Sequence, residues 1–326
     1  MKIMITGAAG FIGSHLTDLC LAEGHEVIAV DNLSMGRKEN LAQHADNERF
    51  RFFEIDVLDY PALKKCVEST GGLDRIVHLA AFKIPRYGNA IDTLTINNLG
   101  TVNTLQLARE YNCKIIVAST SDVYGKNPNL PFHEESDLVI GPSSRSRWSY
   151  AISKLYDEHL CLASMEAYGF PVVLLRFFGS YGPRQHLSWW GGPQSVFIEK
   201  ILKGETSPIH GDGQQTRSFT FISDTVAGIY QAIVRDTANG QIFNIGATRE
   251  ITIENLVRLI HKLIPDAPPL NIEFIPYEQL SKGYEDVMRR VPDDSKCFEI
   301  LGVRAKVTME DGLLETIAWQ RREQGL

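Results

Sequence analysis

The chain has 326 residues, 44% of them hydrophobic and 22% charged, and a formal net charge of −7. That balance suits a globular protein of one large domain or two linked ones and excludes extensive disorder; without a Lys/Arg block it also excludes the electrostatic footprint of a nucleic-acid or anionic-membrane binder. Any anionic ligand must therefore be held by local groups. No apolar stretch approaches membrane-spanning length, and the opening MKIMITGAAGFIGSHL reads as a structural motif rather than a signal peptide. The five cysteines, Cys20, Cys66, Cys113, Cys161 and Cys297, are isolated, with no paired metal-ligand spacing. They read as reduced, buried side chains of a cytoplasmic protein, and no metal is expected.

In chain order, short apolar runs alternate with segments of helical period: KIMIT (2–6), a helix over 12–23, EVIAV (26–30), FRFFEI (50–55), RIVHLA (75–80), a helix over 99–111, KIIVAS (114–119), a helix over 149–169 and VVLLRF (172–177). Such alternation predicts an α/β fold, a doubly wound parallel sheet of Rossmann type covered by helices on both faces. After about residue 180 the texture changes to Gly/Pro-rich pieces, YGPR, WWGGP and HGDGQQ, which mark a smaller α+β substrate-binding region. The later run QIFNIG (241–246) is expected to return to the main sheet. The division is then discontinuous: 1–180 plus about 218–247 for the cofactor, and 181–217 with 248–326 for the substrate.

Gly7, Gly10 and Gly13 follow the first strand at once and open the first helix. Glycines there permit the tight turn and let the backbone approach a pyrophosphate, whose charge sits on amide donors at the helix N-terminus. Asp31 ends the second strand, where a carboxylate binds the adenosine ribose hydroxyls and repels a 2′-phosphate, which favours NAD over NADP despite the nearby Arg37 and Lys38. An ordinary strand-to-helix glycine turn is the alternative. Tyr150 and Lys154, four residues apart in WSYAISK, project from one helix face. A phenol with an ordinary pKa of about 10 is a poor base at neutral pH, but an adjacent ammonium and a positively charged nicotinamide favour the phenolate. That phenolate can take the proton of a sugar hydroxyl while hydride leaves the same carbon.

Through TGAAGFIGSHL, DNLSMG, HLAA, YAISK, RFFGSYGPR and GDGQQTRSFTFISD the chain resembles the extended short-chain dehydrogenase/reductases, in particular the NAD-dependent epimerase/dehydratase group acting on nucleotide sugars. The resemblance implies a cofactor set of Gly7, Gly10, Phe11, Ile12, Gly13, Asp31 and Asn32, with Asp56 and Val57 at the adenine, Leu79, Ala80, Ala81 and Lys83 along the middle, Asn98 on a neighbouring helix turn, and Tyr150 and Lys154. It implies a triad of Thr120, Tyr150 and Lys154, with Thr120 bonding the hydroxyl that becomes a carbonyl. It also implies a homodimer through helices near 88–111 and 149–169. His78, in HLAA, reads as a core histidine.

The run ASTSDVYG (118–125) ends a strand in a polar cluster, where ligands bind in such sheets. Ser121 is assigned to the substrate, with a turn cap by Ser119 or Ser121 as the alternative. At Asp122 the resemblance divides. Simple 4-epimerases carry an uncharged residue there, whereas 4,6-dehydratases and nucleotide-glucuronate decarboxylases carry glutamate. STSDVYG, DLVIGPSSRSRWSYAISK and MRRVPDDSKCFEILG are most similar to the branch of UDP-glucuronate decarboxylases and UDP-apiose/xylose synthases, which places Arg290 at an active-site arginine. Asp122 is one methylene shorter than glutamate, and a purely structural carboxylate is its other reading. Gly179 stands where RxFNxYGPR has asparagine. Arg217 matches a phosphate-binding arginine and Arg184 lies in the YGPR turn, with a surface ion pair as its alternative; Arg suits a diphosphate because its planar fork donates two parallel bonds. Trp189 and Trp190 either cover the substrate or pack within their loop.

The resulting expectation is a UDP-sugar enzyme that transiently oxidises carbon 4, with hexuronate decarboxylation ahead of 4-epimerisation and 4,6-dehydration; dehydration ranks last because Ser121, not an acid, precedes Asp122. The rival of another class is a non-catalytic NAD-binding regulator, a kind of protein that typically lacks the Tyr or the Lys kept here.

Overall fold

A computed structural model describes residues 1–83, 89–280 and 286–325. In chain order the strands are β1 (Lys2–Thr6), β2 (Glu26–Asp31), β3 (Phe50–Glu54), β4 (Arg75–His78), β5 (Lys114–Thr120), β6 (Val172–Phe177), β7 (Ser180–Tyr181), β8 (Ser207–His210), β9 (Thr216–Ser218), β10 (Thr220–Phe221), β11 (Ile242–Ile245), β12 (Glu250–Thr252) and β13 (Ile272–Ile275). The helices are α1 (Phe11–Ala22), α2 (Tyr60–Ser69), α3 (Ala90–Glu110), α4 (Ser149–Tyr168), α5 (Pro193–Leu202), α6 (Ile222–Val234), α7 (Ile253–Lys262), α8 (Tyr277–Leu280) and α9 (Met309–Gln324).

Seven strands form one parallel sheet in the order β11-β6-β5-β4-β1-β2-β3. Its strands carry apolar side chains on both faces, as a sheet covered on both sides requires. Ile3, Ile5, Val27, Ala29, Val77, Ile116, Val173 and Leu175 pack with Leu16 and Cys20 of α1 and Ile229 and Ile233 of α6. The alternate residues Met4, Ile28, Val30, Ile76, Ile115, Val117, Val172 and Leu174 pack with Leu63 of α2, Leu105 of α3 and Cys161 of α4. The run at 241–246 does join this sheet, pairing with β6. Strand order reverses beside β1 and β4, which opens the crevice in which such folds bind ligands.

The remaining strands make three two-stranded pairs, β7 with β10, β8 with β13 and β9 with β12. α5, α7 and α9 lie among them, and their apolar faces continue the core on the α1 side. The five cysteines are all buried. Among the described residues no helix is long and apolar enough to cross a membrane.

One helix departs from expectation: α3 begins at Ala90, nine residues before the predicted start. Asn89 caps it by accepting from the Ile91 amide at 2.9 Å. The early turns escape an apolar-periodicity reading because their inward positions, Thr93 and Asn97, are polar. Residue 88, at the edge of the segment expected to dimerise, lies outside the described residues.

Candidate active site at the carboxyl ends of the strands

The turn from β1 to α1 is shaped for close backbone approach. Gly7 has φ +71°, and a Cβ there would stand 2.9 Å from the Ala80 amide; a Cβ on Gly13 would stand 2.1 Å from the Gly7 carbonyl. Gly10 forms the N-cap of α1 with no side-chain cap, so the amides of the first turn, at Phe11, Ile12 and Gly13, remain for an anion. Asp31 lies at the end of β2, where its carboxylate accepts from the Ala9 amide (3.0 Å) and the Leu33 amide (2.8 Å). Burial pushes its carboxyl up against the pull of those donors. Asp31 thus ties the glycine turn to β2, a task its sequence position did not announce. Two cations that would suit a 2′-phosphate are engaged elsewhere: Arg37 pairs with Glu323 at 3.1 Å, and Lys38 lies over the Phe52 ring.

The far wall is built from Asn32, whose amide donates to Asp56 at 2.9 Å, and from Val57, which packs where a side chain on Gly100 would stand. Leu79 and Ala80 are half-buried beside Gly7, while Ala81 and Lys83 are exposed at the mouth. Asn98 keeps a buried side-chain oxygen with no hydrogen-bond partner. The glycine cradle, the uncapped first turn and that orphaned oxygen fit a bound dinucleotide. His78 is buried and donates or accepts at Thr6 Oγ1 (2.8 Å); burial, then the Lys154 charge, lowers its pKa to about 3, so it stays neutral.

At the catalytic end Thr120 is the last residue of β5, and its hydroxyl oxygen accepts from the Asp122 amide at 3.2 Å. The strand end is therefore a corner, and Thr120, neither Ser119 nor Ser121, caps the turn. Ser119 faces inward and donates to Glu158 at 2.5 Å. Ser121 is buried at the head of a 3-10 turn, Ser121–Tyr124. Tyr150 and Lys154 lie one turn apart on α4, with Lys154 buried. Burial, then the charges of Asp122 and Asp157, pushes the Tyr150 phenol above its ordinary pKa.

Beneath this end runs a buried polar network. Arg176 of β6 donates twice to Glu158 of α4, at 2.9 and 2.7 Å, and once to the Glu134 carbonyl. Tyr124 stacks on Phe132 and donates to Asn244 of β11 at 2.7 Å. The network joins three strands to α4 directly behind Thr120.

Asp122 sits in a cage of arginines. It pairs with Arg290, brought in by the C-terminal segment, and lies 3.5 Å from Arg147 Nη2. Burial alone would raise its carboxyl, but Arg290 and Arg147, with Arg217 and Lys83 behind them, hold it well below the usual carboxylate range. Arg147 escaped sequence reading. SSRSRW holds two arginines with no periodicity to say which turns inward, and the structure selects Arg147 by stacking it on the buried Trp148, 4.7 Å to the ring.

The other substrate assignments separate. Arg217 donates to Asp286 at 2.7 Å and to the carbonyls of Thr216 and Val287. Arg184 turns to α1 and pairs with Asp18 at 2.7 Å instead of joining the cage, the surface ion pair that stood as its alternative. Gly179 has φ +57°, a left-handed conformation that favours glycine. Trp189 stacks on His210, ring centroids 4.3 Å apart, and Trp190 meets Phe82 edge-on beside the cofactor loop.

The family model described as "NAD dependent epimerase/dehydratase family" matches residues 3–246. Among curated proteins the chain is 37% identical to the UDP-N-acetyl-alpha-D-glucosaminuronate decarboxylase of Bacillus cytotoxicus, over 98% of each chain. It is 36% identical to UDP-glucuronic acid decarboxylase 1 of Xenopus tropicalis, over 99% of this chain and 72% of that protein. Among solved structures, the UDP-glucuronic acid 4-epimerase of Bacillus cereus, with UDP-glucuronic acid and NAD, superposes with a TM-score of 0.86 at 28% identity, covering 99% of this chain and 100% of that one. A glycine cradle suited to a dinucleotide, a Tyr–Lys pair on α4 and these matches along the chain agree, and the chain belongs to the NAD-dependent epimerase/dehydratase family, as an enzyme that uses NAD.

Proposed function

We propose that this enzyme acts on a UDP-linked hexuronate, oxidising sugar carbon 4 transiently and releasing the carboxylate as carbon dioxide. One observation supports the reading: among the described residues two guanidinium groups, Arg147 and Arg290, converge on Asp122 beside Thr120. A carboxylate of the substrate suits such a pair, since a planar guanidinium donates parallel hydrogen bonds to it.

When bound, NAD would supply the hydride acceptor for carbon 4 and the hydride for its re-reduction. Tyr150, as phenolate, accepts the proton of the carbon 4 hydroxyl, and the Lys154 ammonium favours that phenolate. The Thr120 oxygen already accepts from the Asp122 amide, so its own hydrogen remains to bond the oxygen that becomes the ketone. The carboxyl carbon lies β to that ketone. Its bond to carbon 5 breaks, the electron pair forms the enolate, Thr120 bonds the enolate oxygen, carbon 5 takes a proton from solvent water, and Tyr150 gives its proton back to the carbon 4 oxygen when that carbon is reduced again.

Asp122, held as a carboxylate by its arginines, has no proton to give, which argues against the acid step of a 4,6-dehydratase. The likeness to decarboxylases of two hexuronates supports the lead reading, and the likeness to a UDP-glucuronic acid 4-epimerase favours 4-epimerisation as the second. Under either reading the hexuronate carboxylate is assigned to the arginines beside Asp122.

Arg217 is assigned to the diphosphate, exchanging Asp286 for phosphate oxygens, and Gly7 to Gly13, Asp31, Asp56 and Val57 to the cofactor. We assign residues 1–180 with 218–247 to the cofactor half and 181–217 with 248–326 to the sugar half. A homodimer is supported by exposed Leu99 and Val102 on α3 and Ile152 and Tyr156 on α4, and a cytoplasmic location by the unpaired cysteines. Incubation with UDP-glucuronate and its 2-acetamido analogue is expected to yield carbon dioxide and a UDP-pentose. Conversion to the 4-epimer without gas would replace the lead reading by the second, and consumption of neither would remove the hexuronate class.

A further inference from the structure

One buried carboxylate has no part in the proposed chemistry. Asp157 lies one turn beyond Lys154 on α4, its Oδ2 3.3 Å from the Lys154 ammonium, with the two side chains 2% and 1% exposed. Its other oxygen has no hydrogen-bond partner of ordinary geometry; burial pushes its carboxyl above the ordinary value, against the pull of the Lys154 ammonium and then of Thr101 of α3, likewise orphaned. A buried charge persists only against a counter-charge, and here that is Lys154. Asp157 therefore uses part of the positive charge on which a tyrosine base depends.

The surroundings leave this pair in control. From α4, Glu158 is taken by Arg176 and Ser119, and burial keeps the Cys161 thiol protonated. From β4, His78 is neutral. The buried residues that α3 contributes, Thr93, Asn97, Thr101 and Thr104, carry no charge, and Asn97 bonds Ser153. At the strand end Asp122 is offset by Arg147 and Arg290, with Arg217 and Lys83 farther out. Two carboxylates act on Tyr150, Asp122 first and then Asp157, and of these Asp157 is the one in contact with Lys154.

We propose that Asp157 is a positioning residue which anchors the Lys154 ammonium between α3 and α4 and thereby sets the pH at which Tyr150 becomes a base. With Lys154 partly neutralised, Tyr150 keeps its proton until a positive nicotinamide lies beside it, and base strength is confined to the loaded site. The inference rests on Tyr150 being the base, as proposed above.

The test uses the full chain loaded with NAD. Phenolate absorbance is titrated as the difference between each protein and the same protein carrying Tyr150→Phe, and pH profiles of kcat/KM are recorded with UDP-glucuronate. Removing a nearby anion favours the phenolate, so in Asp157→Asn the Tyr150 titration is expected to move down by about one pH unit. The acid limb of kcat/KM should move with it, and Asp157→Glu should restore the parent titration. A titration that stays in place or moves up, with kcat reduced equally at every pH, overturns the proposal and leaves Asp157 a structural counter-ion. Asp157→Ser is the second neutral variant, and it must shift in the same direction if the Asn variant does not fold. Activity that survives in Tyr150→Phe contradicts the base assignment itself, a failure distinct from an unmoved titration.

Discussion

The two ends of the crevice are built on different principles. At the cofactor end the contacts that shape the glycine turn and its wall are local in sequence: Ala9 to Asp31 spans 22 residues, and Asn32 to Asp56 spans 24. At the substrate end charged and polar side chains meet across the chain: Asp122 to Arg290 spans 168 residues, Arg217 to Asp286 spans 69, and Tyr124 to Asn244 spans 120. A site made of glycines and amides inherits its geometry from a strand, a turn and a helix. A cage of arginines exists only after distant segments have packed, and it depends on the buried ions beneath it.

That difference can be broken at the ion network first. Glu158 and Arg176 are 4% and 3% exposed, so Glu158→Ala leaves an uncompensated buried guanidinium and should cost about 3–5 kcal/mol of stability in urea denaturation. A loss under about 1 kcal/mol would show that the substrate end does not rest on this pair.

Next comes the cage itself. Arg290→Gln removes a charged hydrogen bond to a carboxylate and should lower kcat/KM for UDP-glucuronate by about tenfold to a hundredfold. UDP, which has no hexuronate carboxylate, should bind the variant as it binds the parent. An equal loss of UDP binding would move Arg290 from the sugar to the nucleotide.

The smallest effect is expected at the cofactor end, where the ion pair Arg37–Glu323 is exposed, 54% and 34%. Glu323→Gln should change stability by no more than about 1 kcal/mol and leave NAD binding intact. NADP binding gained by that variant would show the pair to be a specificity element, and the contrast with the substrate end would narrow.

Much of the fold was legible because hydrophobic period and glycine placement are local signals. β1, α1, β2 and α4 fall within a residue of where the pattern put them. The first two turns of α3 were missed because Thr93 and Asn97 fill inward positions that periodicity expects to be apolar. Tyr150 and Lys154 were legible from i, i+4 spacing, and Asp157, three residues past Lys154, was in plain view without a signal that it turns to the lysine rather than to water. Arg184 read as a site residue from its turn, yet it serves Asp18.

The sequence by itself determined the doubly wound sheet, the glycine cradle and the Tyr–Lys face, since each depends on φ preferences and side-chain period over a few residues. Only the tertiary structure decided the state and company of Asp122, the inward turn of Arg147 and the pairing of Lys154 with Asp157. A charge is defined by the charges and the solvent around it, and those are set by packing across the whole chain.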